Sequence, residues 1–382
     1  MKLSSPLRTT VLHGSEALAE ADRLMVVCNS CRYCEGLCAV FPAMELRRTF
    51  ADGDLNYLAN LCHGCGACYD DCQFSPPHEF NVNVPRALAV VRNESYEAHA
   101  WPSAAAGIFA RNGLAVTLVA ILTAALMLGG WLTARGPVFL WSRHVGAGAF
   151  YRLISHRDLV LLFGGLFLYA VTAMTVGAAR FWLSFRDGPA EPAPGASAWQ
   201  ALKDAASLRY LGGGGGGCRS EDQRGKDTRR VCHHLTFYGF FLCFVSTCVA
   251  TAYHYFLARE APYAWYDLPV VLGTVGGIGI VVGPVGLLLA KRRRPRDLLD
   301  ERRAGMDRAF VILLLLTGVT GLALLGLRTT PLLSIALAAH LGVVAALFAT
   351  MPYGKFVHGL YRFLALMHYA REVGRGGIEG ET

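Results

Sequence analysis

The chain has 382 residues, of which 53% are hydrophobic and only 17% are charged, and its formal net charge is +8. A soluble protein of this length usually carries about a quarter charged residues, so this composition argues against a soluble protein and for a membrane protein. The basic residues lie beside long apolar stretches, as is typical of membrane proteins, so the positive charge does not indicate nucleic-acid binding.

The first hundred residues mix polar and apolar side chains and hold eight of the twelve cysteines. The N-terminal segment MKLSSPLRTTVLHGSEALAEADRL contains no apolar signal core. This predicts that the region stays in the reducing cytoplasm, where disulfides are not expected. We therefore predict a cytoplasmic domain over residues 1–100 whose cysteines serve as metal ligands.

The cysteines form two runs with one spacing, Cys-x2-Cys-x2-Cys-x3-Cys, over residues 28–38 and 62–72. Four thiolates are the usual ligands of a [4Fe–4S] cluster, and in two-cluster ferredoxins the last cysteine of each run ligates the other cluster. This rule predicts two clusters. One would be held by Cys28, Cys31, Cys34 and Cys72, and the other by Cys38, Cys62, Cys65 and Cys68.

Two alternatives to this assignment stay open. Eight thiolates could bind two zinc ions, although the third cysteine at the same spacing fits an iron–sulfur cluster better. Bacterial ferredoxin runs end in Cys-Pro, whereas Ala39 follows the first run here and Gln73 follows the second. The choice of fourth cysteine for each cluster is therefore open. His63, inside the second run, is predicted to lie beside a cluster rather than to bind it.

The segment between the two runs is predicted to be helical. Leu55, Leu58, Ala59 and Cys62 recur at the i, i+3, i+4, i+7 spacing of one helix face. This periodicity favours a helical ferredoxin, like the C-terminal part of succinate dehydrogenase iron–sulfur subunits, over one built from strands.

Six apolar stretches of about 20 residues or more follow the cysteine region. At 1.5 Å per residue, each is long enough to cross the roughly 30 Å hydrocarbon core of a bilayer as a helix. The sequence therefore predicts an all-α protein, with the helical ferredoxin domain followed by a six-span transmembrane bundle over residues 101–382. The predicted spans are residues 111–133, 158–183, 234–257, 267–290, 307–327 and 331–352.

The charges of the loops predict the orientation of this bundle. Basic residues are concentrated between spans two and three and between spans four and five, where the sequence reads KRRRPRD and then ERR. By the positive-inside rule, these loops, both termini and the cysteine runs lie on the cytoplasmic side of the inner membrane. Four arginines in the loop after span one oppose this orientation. The six glycines at 212–217 predict a flexible tether.

Histidines near the ends of the spans are further candidates for cofactor ligands, because ionisable residues within a membrane are costly and usually functional. Spans three and six run in opposite directions, so His233 or His234 is level with His358, and His254 is level with His340. His340 and His358 are 18 residues apart, which is five turns of a continuous helix and would place both on the same face. We predict one b-type haem between two imidazoles, or two haems if both pairs form. The alternative is that these histidines only lie at headgroup level.

Three segments resemble the cytochrome b subunit of respiratory nitrate reductase: HHLTFYGFFLCF, GTVGGIGIVVGPVGLLLAKRR and AHLGVVAALFATMPYGKFVHGLYR. That family binds two haems between two of its helices. The resemblance implies that His234 and His358 form one ligand pair and that His340 belongs to the other. Phe244 stands where the fourth ligand is expected, so a second haem would need His254 in its place.

Nearly the whole chain resembles the tricarballylate utilisation protein B family, also called citrate utilisation protein B. Both cysteine runs and the segments LRYLGGGGGGC, HHLTFYGF and TMPYGKFVHGLYR carry this resemblance. It implies a separate partner, an FAD-dependent dehydrogenase of the tricarballylate dehydrogenase type, whose reduced FAD this chain reoxidises. The chain has no Gly-x-Gly-x-x-Gly motif after a strand, in keeping with a flavin bound to another protein.

Together these features predict a membrane-bound electron-transfer subunit. Electrons from the flavoprotein would pass two [4Fe–4S] clusters and b-type haem to membrane quinone, and no residue of this chain is expected to act on a carbon substrate. One alternative is a subunit that oxidises quinol and reduces a soluble partner. Another is a non-enzymatic membrane iron–sulfur sensor in which the span histidines are structural.

Overall fold

The computed structural model of the chain describes residues 12–185, 194–211, 228–293 and 295–379, without the side chains of 194 and 374–379. Within these ranges the chain forms helices and connecting loops and no strand, which confirms the predicted all-α class. The six glycines at 212–217, predicted to form a tether, lie outside the described residues.

The cysteine runs lie in a small helical unit that precedes the apolar helices. Its helices are α1 (Glu16–Cys31), α2 (Val40–Glu45), α3 (Asp52–Leu61), α4 (Ala67–Asp70) and α5 (Val84–Ala98). Their apolar faces meet in one core, where Leu24, Phe41 and Leu58 are each at most 2% exposed. The segment between the runs is helical, as predicted, because α2 and α3 occupy most of it.

The ends of α1 explain how the first cysteine run is shaped. The helix begins after Ser15, whose hydroxyl accepts a hydrogen bond from the backbone N–H of Leu18. It ends at Arg32, which adopts a left-handed conformation with φ of 55°. This turn directs the chain away from the helix axis between Cys31 and Cys34, so the run wraps around a point rather than continuing along α1.

Six helices are long and apolar enough to cross a membrane, which confirms the predicted six-span bundle and indicates a multi-pass membrane protein. Span two is continuous, with a π-helical turn at Val160–Gly164 between α9 and α10. The helices of this region are α6 (Asn112–Arg135), α7 (Pro137–Trp141), α8 (Ala149–Leu153), α9 (His156–Leu159), α10 (Gly165–Ser184), α11 (Pro194–Ala206), α12 (Thr228–Leu257), α13 (Leu268–Arg292), α14 (Ala304–Leu327) and α15 (Leu333–Thr350).

Helices α12 and α13 pack with their backbones unusually close together. A Cβ atom placed on Gly239 would lie 2.8 Å from the carbonyl oxygen of Gly276, and one on Gly283 would lie 2.7 Å from the carbonyl oxygen of Cys232. Small residues permit this approach between membrane helices, where van der Waals packing replaces the hydrophobic drive to associate. The rotation of α12 about its axis is therefore set by its contact with α13.

The chain breaks its helix after α15 and then forms a final helix, α16 (Val357–Glu379). Met351–Tyr353 form a short 3₁₀ turn that includes Pro352, which has no N–H to donate. Gly354 follows in an extended conformation, and the Asn112 amide donates to the carbonyl of Tyr353 at 3.1 Å. The assumption of a continuous helix from His340 to His358 is therefore wrong, and so is the shared face that it implied.

Helix α16 connects the bundle to the cysteine-containing unit. Its Tyr361 ring stacks on Phe181 of α10 with centroids 4.6 Å apart, and Glu372 accepts from Arg47 at 2.5 Å and from the Tyr57 hydroxyl at 2.8 Å. The loop after α13 also reaches this unit, because Asn93 donates to Asp300 at 2.8 Å. The cysteine runs are thus held against the end of the bundle where α13 ends and α16 begins.

Candidate cofactor sites

The structure brings the eight cysteines of the two runs together as two sets of four. The first set lines one cavity together with apolar side chains such as Val27 and Phe74. It consists of Cys28, Cys31, Cys34 and Cys72, and Cys68 of the other set borders the same cavity. We call it the first quartet. Its fourth cysteine comes from the second run, which is the crossed pairing that the ferredoxin rule predicts.

The second set lines a neighbouring cavity beneath α2 and the start of α5. Cys62 is buried, and its thiol accepts a hydrogen bond from the N–H of Gly64 at 3.3 Å. Gly66 adopts φ of 95°, a conformation that favours glycine, where the chain turns into α4. The members of this set, here called the second quartet, are Cys38, Cys62, Cys65 and Cys68.

The environment of these thiols is suited to a metal-bound state. Burial, followed by the neighbouring Cys34, Cys72 and Cys31, raises the pKa of Cys28 to about 12. Burial also raises the pKa values of Cys38 and Cys68 well above the ordinary range. Four thiols that are buried together cannot all ionise without a cation among them, so each quartet fits a group that supplies positive metal charge.

The spacing of the thiols bears on which metal group they would hold. Among the described residues, no three His, Cys, Asp or Glu side chains come close enough to hold a single metal ion. A zinc ion would draw four sulfurs to about 2.3 Å from one centre. The described thiols are not gathered around one such centre, and the repeated Cys-x2-Cys-x2-Cys-x3-Cys spacing remains the feature that favours iron–sulfur clusters.

His63 lines the cavity of the second quartet and makes a contact that favours the neighbour role predicted for it. Its Nδ1 lies 2.9 Å from the carbonyl oxygen of Leu61. Burial and then the nearby Arg362 hold the pKa of His63 well below its usual range, which keeps the ring neutral. Its ring centroid lies 5.9 Å from that of Tyr210, which borders the same cavity.

Two histidines face each other where α12 begins and α16 begins. The ring centroids of His233 and His358 are 6.2 Å apart, with the ring planes at 76°. Nδ1 of His358 lies 2.5 Å from the carbonyl oxygen of Lys355, which leaves Nε2 as its second nitrogen. The structure places His233 opposite His358, whereas the ring of His234 lies beside Tyr238 with centroids 5.7 Å apart. Of the two neighbours predicted as alternatives, His233 is the one that lies opposite His358, and the ligand role of His234 that the resemblance implied stays a prediction.

The second predicted histidine pair does not form in the structure. The ring of His254 stacks on His156, with centroids 3.7 Å apart and planes at 13°. His340 lies elsewhere, with Nδ1 3.0 Å from the Thr320 hydroxyl of α14. Phe244 stacks on Phe167 of α10 at 5.8 Å. The closely packed face of α12 against α13 leaves His254 on the side of span two rather than of α15.

Sequence reasoning missed two arginines and the helix that carries one of them. Arg92 of α5 donates to the carbonyl of Cys62 at 2.8 Å, and Arg362 of α16 donates to the same oxygen at 2.9 Å. Arg362 is four residues after His358, so both residues lie on one face of α16. The four-residue spacing of His358 and Arg362 is visible in the sequence. Cys62, however, is 300 residues away from Arg362, and only the tertiary fold brings the two into contact.

Comparison with known proteins identifies one family over nearly the whole length of the chain. The Fer4-like domain of citrate utilization protein B matches residues 21–98, and citrate utilization protein B itself matches residues 107–377. The curated citrate utilization protein B of Escherichia coli is 48% identical over 371 residues, which are 96% of each chain. The chain belongs to the citrate utilization protein B family.

Membership of the citrate utilization protein B family confirms the resemblance drawn from the sequence. The Fer4-like match includes every cysteine of both quartets, which indicates an iron–sulfur protein. No solved structure matches the chain, and the predicted likeness to the cytochrome b subunit of nitrate reductase stays a prediction.

Proposed function

We propose that this protein is the membrane-bound electron-transfer partner of a separate FAD-dependent dehydrogenase of the tricarballylate dehydrogenase type. It would pass electrons through two [4Fe–4S] clusters and one b-type haem to membrane quinone. Reoxidising one reduced FAD releases two electrons and two protons, and reducing one quinone to quinol consumes the same numbers. The clusters and haem supply one-electron chemistry when bound, and the chain positions them.

The observation that carries this proposal is that three candidate sites adjoin one another. The first quartet lies next to the second, with Cys68 bordering both cavities. The second quartet is linked to the histidine pair through α16, because Arg362 donates to Cys62 one helical turn after His358. These contacts connect the cysteine-containing unit with the histidine pair at the start of α12 and α16.

The first quartet supports a role as the entrance for electrons. Tyr33, inside the first run, borders its cavity and is 68% exposed. The second quartet is covered by the rest of the molecule, since Tyr210 and the arginine of α16 lie against it. A dehydrogenase partner could approach the first quartet directly.

His233 and His358 would hold one b-type haem. Their ring centroids are 6.2 Å apart, and imidazole is a usual protein ligand of haem iron. The carbonyl of Lys355 would hold the Nδ1 proton of His358 and so orient Nε2 towards the metal, a common arrangement for histidine ligands. His340 and His254 lack such a partner arrangement, which supports one haem rather than two.

The proposed location is the inner membrane, with the iron–sulfur unit in the cytoplasm. The basic loop between spans four and five lies on the same side of the bundle as this unit, since Asn83 donates to the carbonyl of Asp297 at 2.8 Å. The side that carries the most basic of the described loops therefore carries both quartets, in agreement with the positive-inside rule.

The test is an anaerobic spectrum of the detergent-purified protein, with iron, sulfide and haem assays, for wild type and three variants. We expect roughly eight irons and eight sulfides per chain from two cubic clusters, together with b-type haem. His233→Ala and His358→Ala should lose the haem and keep the iron and sulfide. His234→Ala is the matched control, one residue away on the same helix, and should keep all three.

Other outcomes would contradict parts of this proposal. Wild-type protein with clusters but no haem would exclude the route to quinone and favour the sensor alternative. Zinc without sulfide would exclude electron transfer altogether. A haem with a lower reduction potential than both clusters would favour quinol oxidation with a soluble acceptor.

A further inference from the structure

Two guanidinium groups, one buried and one half-buried, converge on a single backbone oxygen beside the second quartet. Arg92 donates to the carbonyls of Cys62 at 2.8 Å and Ala59 at 3.2 Å, and Arg362 donates to those of Cys62 at 2.9 Å and Asn60 at 3.3 Å. Arg92 belongs to α5 of the cysteine-containing unit, and Arg362 belongs to α16, the helix that connects this unit to the bundle.

Neither arginine has a carboxylate partner within ion-pair distance among the residues that the structure describes. Arg92 is only 8% exposed, and its Nε is buried without a hydrogen-bond partner. Both side chains are guanidinium groups, each with one positive charge. Buried charges are costly unless they are paired, which points to an anionic group close to both.

The first quartet lacks such a contact among the described residues. No charged side chain from this part of the chain borders either cavity, but the two arginines reach the backbone of Cys62 in the second quartet, whereas Arg32 of the first run is exposed and donates to the carbonyl of Asn29, which is not a cysteine. The positive charges of Arg92 and Arg362 lie near the second quartet and not near the first, so the electrostatic environments of the two quartets differ.

We propose that Arg92 and Arg362 are the counter-charges of the second quartet's cluster and make its reduction potential higher than that of the first. This inference rests on the proposed function, because it requires both quartets to hold [4Fe–4S] clusters. A cluster with four thiolates is an anion and gains one more negative charge on reduction. Cations held beside it in a poorly solvated site stabilise the reduced form.

The consequence is a direction for electron flow. Each transfer oxidises the first cluster and reduces the second by one electron, and the two arginines make that step favourable. Arg362 lies between the second quartet and His358, so the same charge also lies on the way to the histidine pair. Both arginines act as positioning residues through charge, since neither touches a thiol.

The experiment is a redox titration of the full-length purified protein, followed by electron paramagnetic resonance. Cys65→Ser identifies the signal of the second quartet's cluster. We expect Arg362→Gln to shift that potential downwards and to leave the first cluster's potential nearly unchanged. Arg362→Lys retains the charge and should restore most of the wild-type potential. Arg180→Gln is the control, because Arg180 also donates to a backbone carbonyl, that of Ala100 at 2.9 Å, but away from the cysteines.

Arg92→Gln provides an independent test should Arg362→Gln lose its cluster, and it should shift the same potential in the same direction. The inference is overturned if the second cluster's potential is unchanged in a variant that keeps both clusters, or if both potentials shift equally. These potentials are read from the cluster signals and require no haem, quinone or partner, so a failed route to quinone leaves the test intact. Wild-type protein without iron and sulfide would instead refute the proposed function.

Discussion

The close packing of α12 on α13 makes a prediction that needs no cofactor. In Gly239→Ala the new Cβ would lie 2.8 Å from the carbonyl oxygen of Gly276 and 2.9 Å from the backbone nitrogen of Ile280. Ordinary contacts of a Cβ begin near 3.4 Å, so the helices must separate by about 0.6 Å at this point. Both obstructing atoms are backbone, and neither can rotate away.

The expected cost is about 1–3 kcal/mol, the range for overpacking a well-packed interface. It is offset in part by the gain of about 1 kcal/mol from replacing a helical glycine by alanine. Because α12 carries His233, its displacement should also weaken the contact of His233 with His358. The assay is the midpoint of thermal unfolding in detergent, measured for the variant and for wild type.

Gly129→Ala on α6 is the matched control for this substitution. A Cβ on Gly129 meets no atom within 4 Å, so this variant should be as stable as wild type or slightly more stable. Equal unfolding midpoints for the two variants would refute the reasoning, because the backbone contact between α12 and α13 would then not limit the packing.

Two further predictions concern the link between α16 and the cysteine-containing unit and the independence of the two quartets. Burial raises the pKa of Glu372, but hydrogen bonding from His368 and the charge of Arg47 outweigh burial and hold this pKa below its ordinary value. The ionised Glu372 therefore stabilises the folded protein above the unfolded pKa of about 4.3, and this stabilisation is lost in more acidic solution. Glu372→Gln should therefore lower the free energy of unfolding at pH 7 by about 3 kcal/mol, the cost of breaking a buried pair. The difference from wild type, measured by denaturant unfolding, should shrink near about pH 3.5. A difference that persists unchanged in acid would contradict the ionic origin. Cys65→Ser should reduce iron and sulfide by about half if each quartet holds its own cluster, and loss of all iron would show that the quartets depend on each other.

Several features of this protein could be predicted from the sequence because they depend on local spacing or on length. The cysteine spacing is a property of neighbouring residues, and so are the periodicity of Leu55 and Leu58 and the apolar length of each span. The ferredoxin rule offered the crossed pairing but left the fourth cysteine of each cluster open, and in the structure the two cavities group the cysteines in those two sets, with Cys68 bordering both.

The tertiary structure alone decided which histidines face each other. His233 and His234 are neighbours, and successive residues on a helix point about 100° apart, so the packing of α12 on α13 selects the one that faces α16. The helix is also interrupted at Pro352 and Gly354, so the number of turns counted along one helix from His340 to His358 does not apply. The convergence of Arg92 and Arg362 on one carbonyl joins residues that are hundreds of positions apart. Periodicity describes which side of a helix is apolar, whereas the approach of two distant helices depends on every contact that positions them.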